Sequence, residues 1–442
     1  MALLALAPAS ATAAGQGVFR APAARPTDHP DPNRNAYTVP EAPHSPACSR
    51  HFCVHWVAEG TDAPDLSDAN GDGAPDYVES VQAVAEHVYS VENEKLGWRV
   101  PRSDGRQGGE RAKTDIYLDE IGGALFGYAA PDRGQATRAH LLPRHLHGYL
   151  VLDNNYDPFE FPGTTPLHDL EVTIAHEYAH ILQFGYDAYQ DAWFAESSAV
   201  WMEDRVYGDV NDYLRYVRRW VRLPDTPLTA NSIKEYGSAV WNKWLAHRYG
   251  RTIIRSAWSR AVHTRPGGFA VAAYNSAIEA AGGSDFSRDF TRFSADLPEW
   301  RTDTVFPEAN LYPDVSRQGS LSGGGSVLAR RLNHTTFQLI RVHAHGGRAL
   351  VVDAVASRGI AAGLALVGRI GGERDGRVIE IFRFRRHGGR MEARISRPGR
   401  FARLTAVLVN ADTSAAGFSA RRLDWAYLTD SAPFRVSARL IR

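Results

Sequence analysis

The sequence predicts an α+β protein in which a small β-sheet and a series of helices precede a C-terminal β-sandwich. Strand-like runs occupy residues 47–60, 114–119 and 148–153. After residue 204 the apolar residues recur at spacings of three and four, which is typical of amphipathic helices. Beyond residue 335, short β-branched runs alternate with turn signals without a helical pattern, and this favours a sandwich.

The individual elements of the second half follow from the same periodicities. Helices are predicted at 212–223, 232–247, 252–262, 269–281 and 286–297. Strands of the sandwich are predicted at 335–344, 349–355, 364–370, 377–384, 403–409 and 434–440. The glycine-rich residues 319–326 predict a hinge before the sandwich.

Residues 176–180 read His-Glu-Tyr-Ala-His, an HExxH motif in a helix-compatible segment. Because an α-helix has about 3.6 residues per turn, His176 and His180 lie on one face, where both imidazoles can bind one zinc ion. Glu177 lies beside them and is placed to take a proton from water in such a site. The alternative is an ordinary amphipathic helix that carries two histidines by chance.

A catalytic zinc site needs a third protein ligand. The metzincin pattern would place Gly and His where the chain has Gln183 and Tyr186, so that class is excluded. Glu196 lies 16 residues after His180 (196 − 180), in a second helical segment at 191–204 that follows a turn predicted at 185–187.

The motif HEYAH followed by WFAESSAVWME at 193–203 resembles the gluzincin pattern of zinc metallopeptidases. It is most similar to secreted bacterial metalloproteases with HEYxH and a downstream W-x-x-E-x-x-A-x-W-x-E segment. The resemblance implies a zincin-like catalytic domain in which Glu196 is the third zinc ligand. Glu203 is the alternative ligand and would otherwise accept a hydrogen bond behind the site or face solvent. The interval from His180 to Glu196 is shorter than in thermolysin-like enzymes.

The same resemblance suggests two further features of a peptidase site. Tyr236, in a segment like the Tyr-x-x-Gly/Ala helix start of gluzincin aminopeptidases, would stabilise the oxyanion; the alternative is a packing tyrosine. An edge strand beside the zinc helix would pair with extended substrate, and 148–153 is the candidate by its order in the chain. These features predict a metallopeptidase domain at 47–315 and a β-sandwich domain at 316–442.

Residues 68–79 fit the calcium-loop pattern D-x-[DN]-x-[DN]-G-x5-E in full. The predicted ligands are the side chains of Asp68, Asn70, Asp72, Asp76 and Glu79 and the carbonyl oxygen of Ala74. Apolar residues at helical spacing predict a helix over 77–96, whereas no helical pattern precedes the loop. A polar turn that caps the helix without metal is the alternative. In a secreted enzyme such a calcium ion would be structural.

The N-terminal region predicts export. Residues 1–15 form a short apolar run that ends in small residues, like a secretory signal, and its lack of basic residues suggests a start upstream of Met1. Residues 16–46 predict a flexible leader. The two cysteines, Cys48 and Cys53, predict a small disulfide loop in an exported protein; two free thiols in a reducing compartment are the alternative.

Charge is unevenly distributed along the chain. Residues 316–442 contain 22 arginines and 8 acidic residues, a net charge of +14 (22 − 8), although the whole chain has a formal net charge of zero. This basic region could contact an anionic cell surface, pack on acidic parts of the chain, or reflect a composition rich in arginine. No nucleic-acid-binding motif and no membrane-spanning apolar run occur in the sequence.

The leading hypothesis is a secreted, monomeric zinc endopeptidase that acts on protein or peptide substrates. No G-x-M-E-N-like segment, which would supply the acidic anchor for a substrate amine, precedes HEYAH, so endopeptidase ranks above aminopeptidase. A non-catalytic surface or adhesion protein stabilised by metal is one alternative, although it has no use for Glu177. A zinc amidase that acts on cell-wall peptides is another.

Overall fold

The computed structural model describes residues 24–28, 36–109, 113–122, 125–132, 145–230, 232–262, 269–302, 306, 308–372, 376–414 and 431–442. The chain divides into two compact units, Met1–Tyr213 and Leu214–Arg442. This division differs from the predicted boundary at residue 315, because the helices after residue 213 group with the C-terminal strands. The coarse prediction of a mixed α+β chain with a β-rich C-terminal region is confirmed.

The described part of the first unit contains five strands, three α-helices and one π-helix. They are β1 (Ala47–Cys48), β2 (Phe52–His55), α1 (Asp76–Tyr89), the π-helix Ser90–Lys95, β3 (Thr114–Asp119), β4 (Gly127–Pro131), β5 (Gly148–Asp153), α2 (Pro166–Asp187) and α3 (Ala192–Val206). α1 and the π-helix together cover the helix predicted at 77–96, and residues 61–67 before the calcium-loop pattern are irregular, as expected.

The strands of the first unit form one sheet in the order β1-β2-β3-β5-β4. β2, β3 and β5 are parallel, whereas β1 and β4 are antiparallel to their neighbours. The prediction that 148–153 is an edge strand is therefore wrong, because β5 pairs on both sides. β4 is one of the two outer strands of the described sheet, the other being β1, and α2 packs against both β4 and β5. The sequence of a strand does not show which strands pair with it on either side.

Helices α2 and α3 pack against each other and differ from the sequence prediction at their connection. The predicted turn at 185–187 is wrong, because α2 continues to Asp187 and the turn occupies 188–191. α2 begins with Thr165 as N-cap, whose hydroxyl oxygen accepts a hydrogen bond from the backbone N–H of His168 (3.2 Å). Pro166 occupies the first helical turn, where the missing N–H costs nothing.

In the described part of the second unit, the five predicted helical segments form six α-helices. They are α4 (Leu214–Trp220), α5 (Lys234–Gly237), α6 (Ala239–Tyr249), α7 (Ile253–Arg260), α8 (Ala270–Ala280) and α9 (Phe286–Asp296), the segment predicted at 232–247 being divided into α5 and α6. α9 packs on three strands of the unit, and Glu299 beyond it forms ion pairs with Arg369 (3.3 Å) and Arg403 (3.2 Å). Within the described ranges of the whole chain, no helix has the length and apolar character needed to cross a bilayer.

The described strands of the second unit form two sheets in which most neighbouring strands are antiparallel. They are β6 (Ser320–Ser322), β7 (Gly324–Leu332), β8 (Thr336–His343), β9 (Ala349–Ala356), β10 (Ala362–Ile370), β11 (Arg377–Arg385), β12 (Gly389–Ser396), β13 (Arg403–Asn410) and β14 (Ala432–Ile441). The sheet orders are β11-β10-β13-β8-β6 and β12-β9-β14-β7. Side chains of both sheets share one hydrophobic cluster, for example Ile340 and Leu364 from one sheet and Leu350 and Val436 from the other.

Two predictions for this region fail for identifiable reasons. The hinge at 319–326 is wrong, because these residues form β6 and the start of β7; the backbone N–H of Gly323 donates to the carbonyl oxygen of His343 (2.8 Å). β12 was not predicted, although Met391, Ala393 and Ile395 are buried and alternate with exposed charged residues. This strict alternation of apolar and charged residues is the pattern of a half-buried strand, so the sequence contains the signal that the prediction omitted.

The predicted leader 16–46 is packed wherever the structure describes it. Arg25 is 2% exposed, and Tyr37 is buried with its hydroxyl donating to the carbonyl oxygens of His55 (3.1 Å) and Leu118 (2.8 Å). The prediction of a flexible leader is therefore wrong for 24–28 and 36–46, since tertiary partners compensate the low local order of a Pro- and Asp-rich segment. The predicted signal at 1–15 lies outside the described residues. The predicted Cys48–Cys53 disulfide is confirmed.

Candidate metal centre

The structure brings together the three predicted zinc ligands. α2 supplies His176 and His180 one helical turn apart, and α3 supplies Glu196. One ligand atom from each residue lies within 4.8 Å of the others, and all three residues are buried. The Oε2 atom of Glu196 lies 3.2 Å from Nε2 of His176 and 3.6 Å from Nε2 of His180. Both imidazoles thus direct the same ring nitrogen toward one carboxylate oxygen.

The second nitrogen of each imidazole has its own acceptor. Nδ1 of His176 lies 2.6 Å from Oε1 of Glu203, and Nδ1 of His180 lies 2.8 Å from Oε1 of Gln183. The Nε2 amide group of Gln183 donates to the carbonyl oxygen of Ala195 (3.1 Å), which orients its oxygen toward the histidine. With Nδ1–H donating in both rings, the Nε2 lone pairs face the space beside Glu196. This is the usual support of histidines that bind a metal.

The electrostatic environment of His176, His180 and Glu196 favours a positive charge between them. Burial opposes protonation of His176, but hydrogen bonds to Glu196 and Glu203 outweigh it and raise the pKa of His176 well above its ordinary value. Burial acts in the same direction on His180, and the charge of Glu196 raises the pKa of His180. Burial would raise the pKa of Glu196, but the charges of His180 and His176 lower it. A divalent cation would supply the same positive charge between neutral imidazoles.

The donor set and its spacing fit zinc. Two imidazole nitrogens and one carboxylate oxygen are a ligand set found in catalytic zinc sites. Zinc bonds to such atoms are about 2.0–2.2 Å long, so ligand atoms on a tetrahedron lie about 3.4 Å apart. The separations of 3.2 and 3.6 Å between Glu196 Oε2 and the two Nε2 atoms bracket that value.

Glu177 is half-buried and follows His176 on α2. Its negative charge acts on both metal-facing imidazoles, where it contributes to their raised pKa values. The same charge acts on the buried Tyr156 hydroxyl and adds to the effect of burial, which raises the pKa of Tyr156. A carboxylate in this position lies close to the histidine face without being one of the three grouped ligands.

Tyr236 and Glu203 do not belong to the group of three candidate zinc ligands. Tyr236 lies in α5 of the second unit, and its ring stacks on that of Tyr216 at a centroid distance of 5.1 Å. Its role toward an oxyanion stays a prediction. Glu203, the alternative ligand, lies on the Nδ1 side of His176 and accepts a hydrogen bond there.

The predicted calcium loop has the turn that its sequence pattern requires. Gly73 has φ of +95°, where L-residues are strained. Side-chain oxygens of the loop accept hydrogen bonds from its backbone N–H groups, for example Asp68 from Gly71 (2.7 Å) and Asp72 from Ala74 (2.9 Å). Asp76 accepts from Ala69 (3.1 Å). These contacts also occur in metal-free Asx turns, so calcium at Asp68, Asn70, Asp72, Ala74, Asp76 and Glu79 stays a prediction.

Sequence reasoning missed Gln183 as a residue that orients the site, whereas it gave Glu203 three possible roles: rival ligand, hydrogen-bond acceptor behind the site, or solvent-facing charge. Gln183 lies three positions after His180 on the same helix, and Glu203 lies seven positions after Glu196, so both spacings are compatible with a supporting role. The spacing alone does not distinguish a support from a solvent-facing polar group. Only the packing of α3 on α2 decides which nitrogen each side chain reaches.

Comparisons with known proteins add a partial match. Residues 163–300, which include HEYAH and Glu196, match a family model described as "Family of unknown function (DUF6055)". No curated protein matches the chain in sequence. The pre-peptidase C-terminal domain of a collagenase from Bacillus anthracis is similar over 28% of this chain and 97% of its own, with 8% identity and a TM-score of 0.15. A family 16 carbohydrate-binding module-2 is similar over 28% of this chain and 73% of its own, with 8% identity and a TM-score of 0.16.

Proposed function

We propose that this protein is a secreted zinc-dependent endopeptidase with a gluzincin-like site in a zincin-like domain. The observation that supports it is the arrangement of two imidazoles whose Nε2 atoms lie 3.2 and 3.6 Å from one oxygen of Glu196. A structural zinc site would more often be closed by a fourth protein ligand, whereas this group has three. The disulfide Cys48–Cys53 agrees with export into an oxidising environment.

The residues of the site divide the chemistry of amide hydrolysis among them. Zinc, when bound to His176, His180 and Glu196, would supply positive charge that polarises a carbonyl group and acidifies water. Glu177 takes the proton from the attacking water and later delivers it to the nitrogen of the leaving amine.

The substrate strand is proposed to add to β4 rather than to β5. β4 is an outer strand of the described sheet, and Gly127 at its start approaches Thr173 of α2 so closely that an added Cβ would lie 2.8 Å from the threonine methyl group. An extended peptide on this strand would therefore run beside the helix that carries HEYAH.

The decisive experiment measures zinc content and cleavage of a denatured-protein substrate for the wild type and for Glu177→Ala. We expect about one zinc per chain in both proteins and a loss of activity of about 10²–10⁴-fold in the variant, because only the base is removed. Glu171→Ala, on the same helix and also half-buried, is the matched control and keeps its activity. A wild type that binds no zinc, or that cleaves no peptide in a chelator-sensitive way, contradicts the proposal.

The support of His176 offers a second test. Glu203→Gln keeps the shape of the side chain but weakens the acceptor at Nδ1 of His176, 2.6 Å away. We expect zinc affinity to fall about 10–100-fold, as for other residues that orient metal-bound histidines. Competition with a chromophoric chelator measures it. An affinity that is unchanged in Glu203→Gln but lost in Glu196→Gln would leave Glu203 without that role.

We also propose a structural calcium ion in the loop 68–79. The full match to the loop pattern and the positive φ of Gly73 support it. The double variant Asp68→Asn/Asp72→Asn removes two charged ligands and is expected to lose calcium from this loop. Calcium titration of both proteins measures the difference, and equal binding by the two contradicts this assignment.

A further inference from the structure

The carboxyl ends of β3 and β5 bring a group of acidic side chains together. Asp119 and Asp153 are the last residues of these parallel strands and are partners in register. Glu120 follows β3 directly, and Glu160 lies in the segment between β5 and α2. One carboxylate oxygen from each of Glu120, Asp153 and Glu160 lies within 4.8 Å of the others. We call Glu120, Asp153 and Glu160 the acidic cluster.

Two buried carboxylates at this edge have an oxygen without a partner. Asp153 is 0% exposed; its Oδ1 accepts the backbone N–H groups of Asn155 (3.1 Å) and Tyr156 (2.6 Å). Its Oδ2 has no hydrogen-bond partner in the part of the chain that the structure describes. Asp119 is 2% exposed, and its Oδ2 also lacks a hydrogen-bond partner there. A buried carboxylate oxygen without a partner is costly unless a cation or a proton compensates it.

The acids of this edge repel one another. Burial raises the pKa of Asp119 to about 7, and the neighbouring Asp62 and Glu120 add to the effect. Burial, then the charges of Asp153 and Glu160, raise the pKa of Glu120. Burial likewise raises the pKa of Asp153, which the charge of Glu160 reinforces against its backbone hydrogen bonds. A bound cation would remove this repulsion.

We propose that the acidic cluster binds a divalent cation with Ca²⁺ as its expected ion, at a site separate from the loop 68–79. Its ligands are all carboxylate oxygens, which suit a hard cation and not zinc. Ca²⁺ takes about six to eight oxygen ligands in flexible geometry, bidentate carboxylates included, whereas Mg²⁺ demands near-ideal octahedral geometry and usually keeps several waters. Glu120 and Glu160 are half-buried, which leaves a route from solvent to the buried Asp153.

The place of the acidic cluster gives the ion a structural task. Asp153 ends β5, Glu160 belongs to the segment that leads into α2, and α2 carries HEYAH. An ion shared by these two residues would tie the middle of that segment to the end of β5. The hydroxyl of Tyr77, in α1, donates to the carbonyl oxygen of Asp153 (3.3 Å), so the same edge also contacts the helix that follows the loop 68–79. This inference does not depend on peptidase activity.

Calcium titration of the full chain tests the proposal. Calcium-free Asp68→Asn/Asp72→Asn protein, in which the loop is disabled, is titrated with CaCl₂ in a calorimeter, and one site per chain is expected. Adding Glu120→Gln and Glu160→Gln is expected to weaken this site about tenfold or more, because ligand charge sets calcium affinity. Glu94→Gln, an exposed glutamate of the first unit, is the matched control and leaves the affinity unchanged.

Two results would overturn the proposal. The first is a parent protein that takes up no calcium once the loop is disabled. The second is a Glu120→Gln/Glu160→Gln protein that binds calcium with the stoichiometry and affinity of its parent. Both substitutions are at half-buried positions and preserve side-chain size, so circular dichroism and zinc content are expected to match the parent and exclude misfolding as the cause.

Discussion

The two ends of strand β3 balance buried acids in different ways. Near the first end, Asp115 is contacted by the guanidinium group of Arg25, which also forms ion pairs with Asp104 (2.6 Å) and Asp132 (2.7 Å). At the other end, Asp119 has a carboxylate oxygen without a hydrogen-bond partner among the described residues. One end of the same strand has a cation built into the chain, and the other end has an arrangement that an exchangeable ion would complete.

The difference affects when each end is stable. Arg25 stays charged at all ordinary pH values, so the first end has its cation whenever residues 24–28 are in place. Burial works against ionisation of Asp132, but hydrogen bonds from His147 and Arg25 outweigh it and lower the pKa of Asp132. At the second end, burial raises the pKa of Asp119 to about 7, and the neighbouring acids Asp62 and Glu120 add to this effect. The second end should therefore respond to the concentration of cations, and the first should not.

The largest expected effect comes from removing the built-in cation. Arg25→Met removes the guanidinium group that three buried carboxylates share, while His55 stays beside Asp115 and His147 beside Asp132, and we expect it to lower the free energy of unfolding by about 3–5 kcal/mol. Urea denaturation measures the change. Arg50→Met removes an exposed arginine of the same unit and should change stability by no more than about 0.5 kcal/mol. Equal effects of the two substitutions would show that the leader contact is dispensable.

The second largest expected effect is that calcium raises the free energy of unfolding through the second end of β3. At a calcium concentration about 100 times the dissociation constant, binding to the folded state should raise the free energy of unfolding by about 2.7 kcal/mol. Glu120→Gln/Glu160→Gln should lose this gain, measured in the Asp68→Asn/Asp72→Asn background. Arg25→Met should retain it in full. A calcium gain that disappears in Arg25→Met instead would mean that the two ends are not independent.

The first end should also depend on pH through His55. Its Nδ1 lies 2.8 Å from Glu41 and its Nε2 lies 3.2 Å from Asp115, beside Arg25 and stacked on Tyr117. Burial lowers the pKa of His55, but hydrogen bonds to Asp115 and Glu41 outweigh it and raise the pKa above 6.5. Folded protein therefore binds this proton more tightly than unfolded protein does, so the contribution is full below pH 6.5 and is lost as pH rises through the folded pKa.

His55→Phe tests this sign. The variant should be about 2 kcal/mol less stable than the wild type near pH 5.5, where charged hydrogen bonds are lost, and the difference should shrink above pH 6.5. Thermal or urea unfolding at several pH values measures it. A difference that grows with rising pH would contradict the assigned protonation.

The smallest expected effect is the coupling between the two ends. Asp115 and Asp119 are four residues apart, which corresponds to about 13 Å along a strand. Sites at that separation usually act additively to within about 0.5 kcal/mol. We therefore expect the stability change of Arg25→Met/Glu120→Gln/Glu160→Gln to equal the sum of the separate changes within that limit. A larger coupling energy from denaturation curves would indicate that β3 transmits strain between its ends.

Local periodicity was sufficient to predict that the two histidines share one face of a helix, whereas the third candidate ligand came from the family resemblance. His176 and His180 are one helical turn apart, so their common face follows from the helix alone. Glu196 was predicted from the W-x-x-E context, and the packing of α3 on α2 places it beside them. The helices of the second unit and most of its strands were predicted for the same reason, since spacings of two or of three and four are local properties of the chain.

Only the tertiary structure decided which distant groups share a partner. β4 rather than β5 is the outer strand beside α2. Glu203 and Gln183 orient the two imidazoles. Arg25, from a segment without regular secondary structure, binds three aspartates. The pairing of Asp119 with Asp153 depends on the register of β3 and β5, which are separated in the chain by β4. Strand order and long-range electrostatic contacts join residues far apart in sequence, and no periodicity within a segment encodes them.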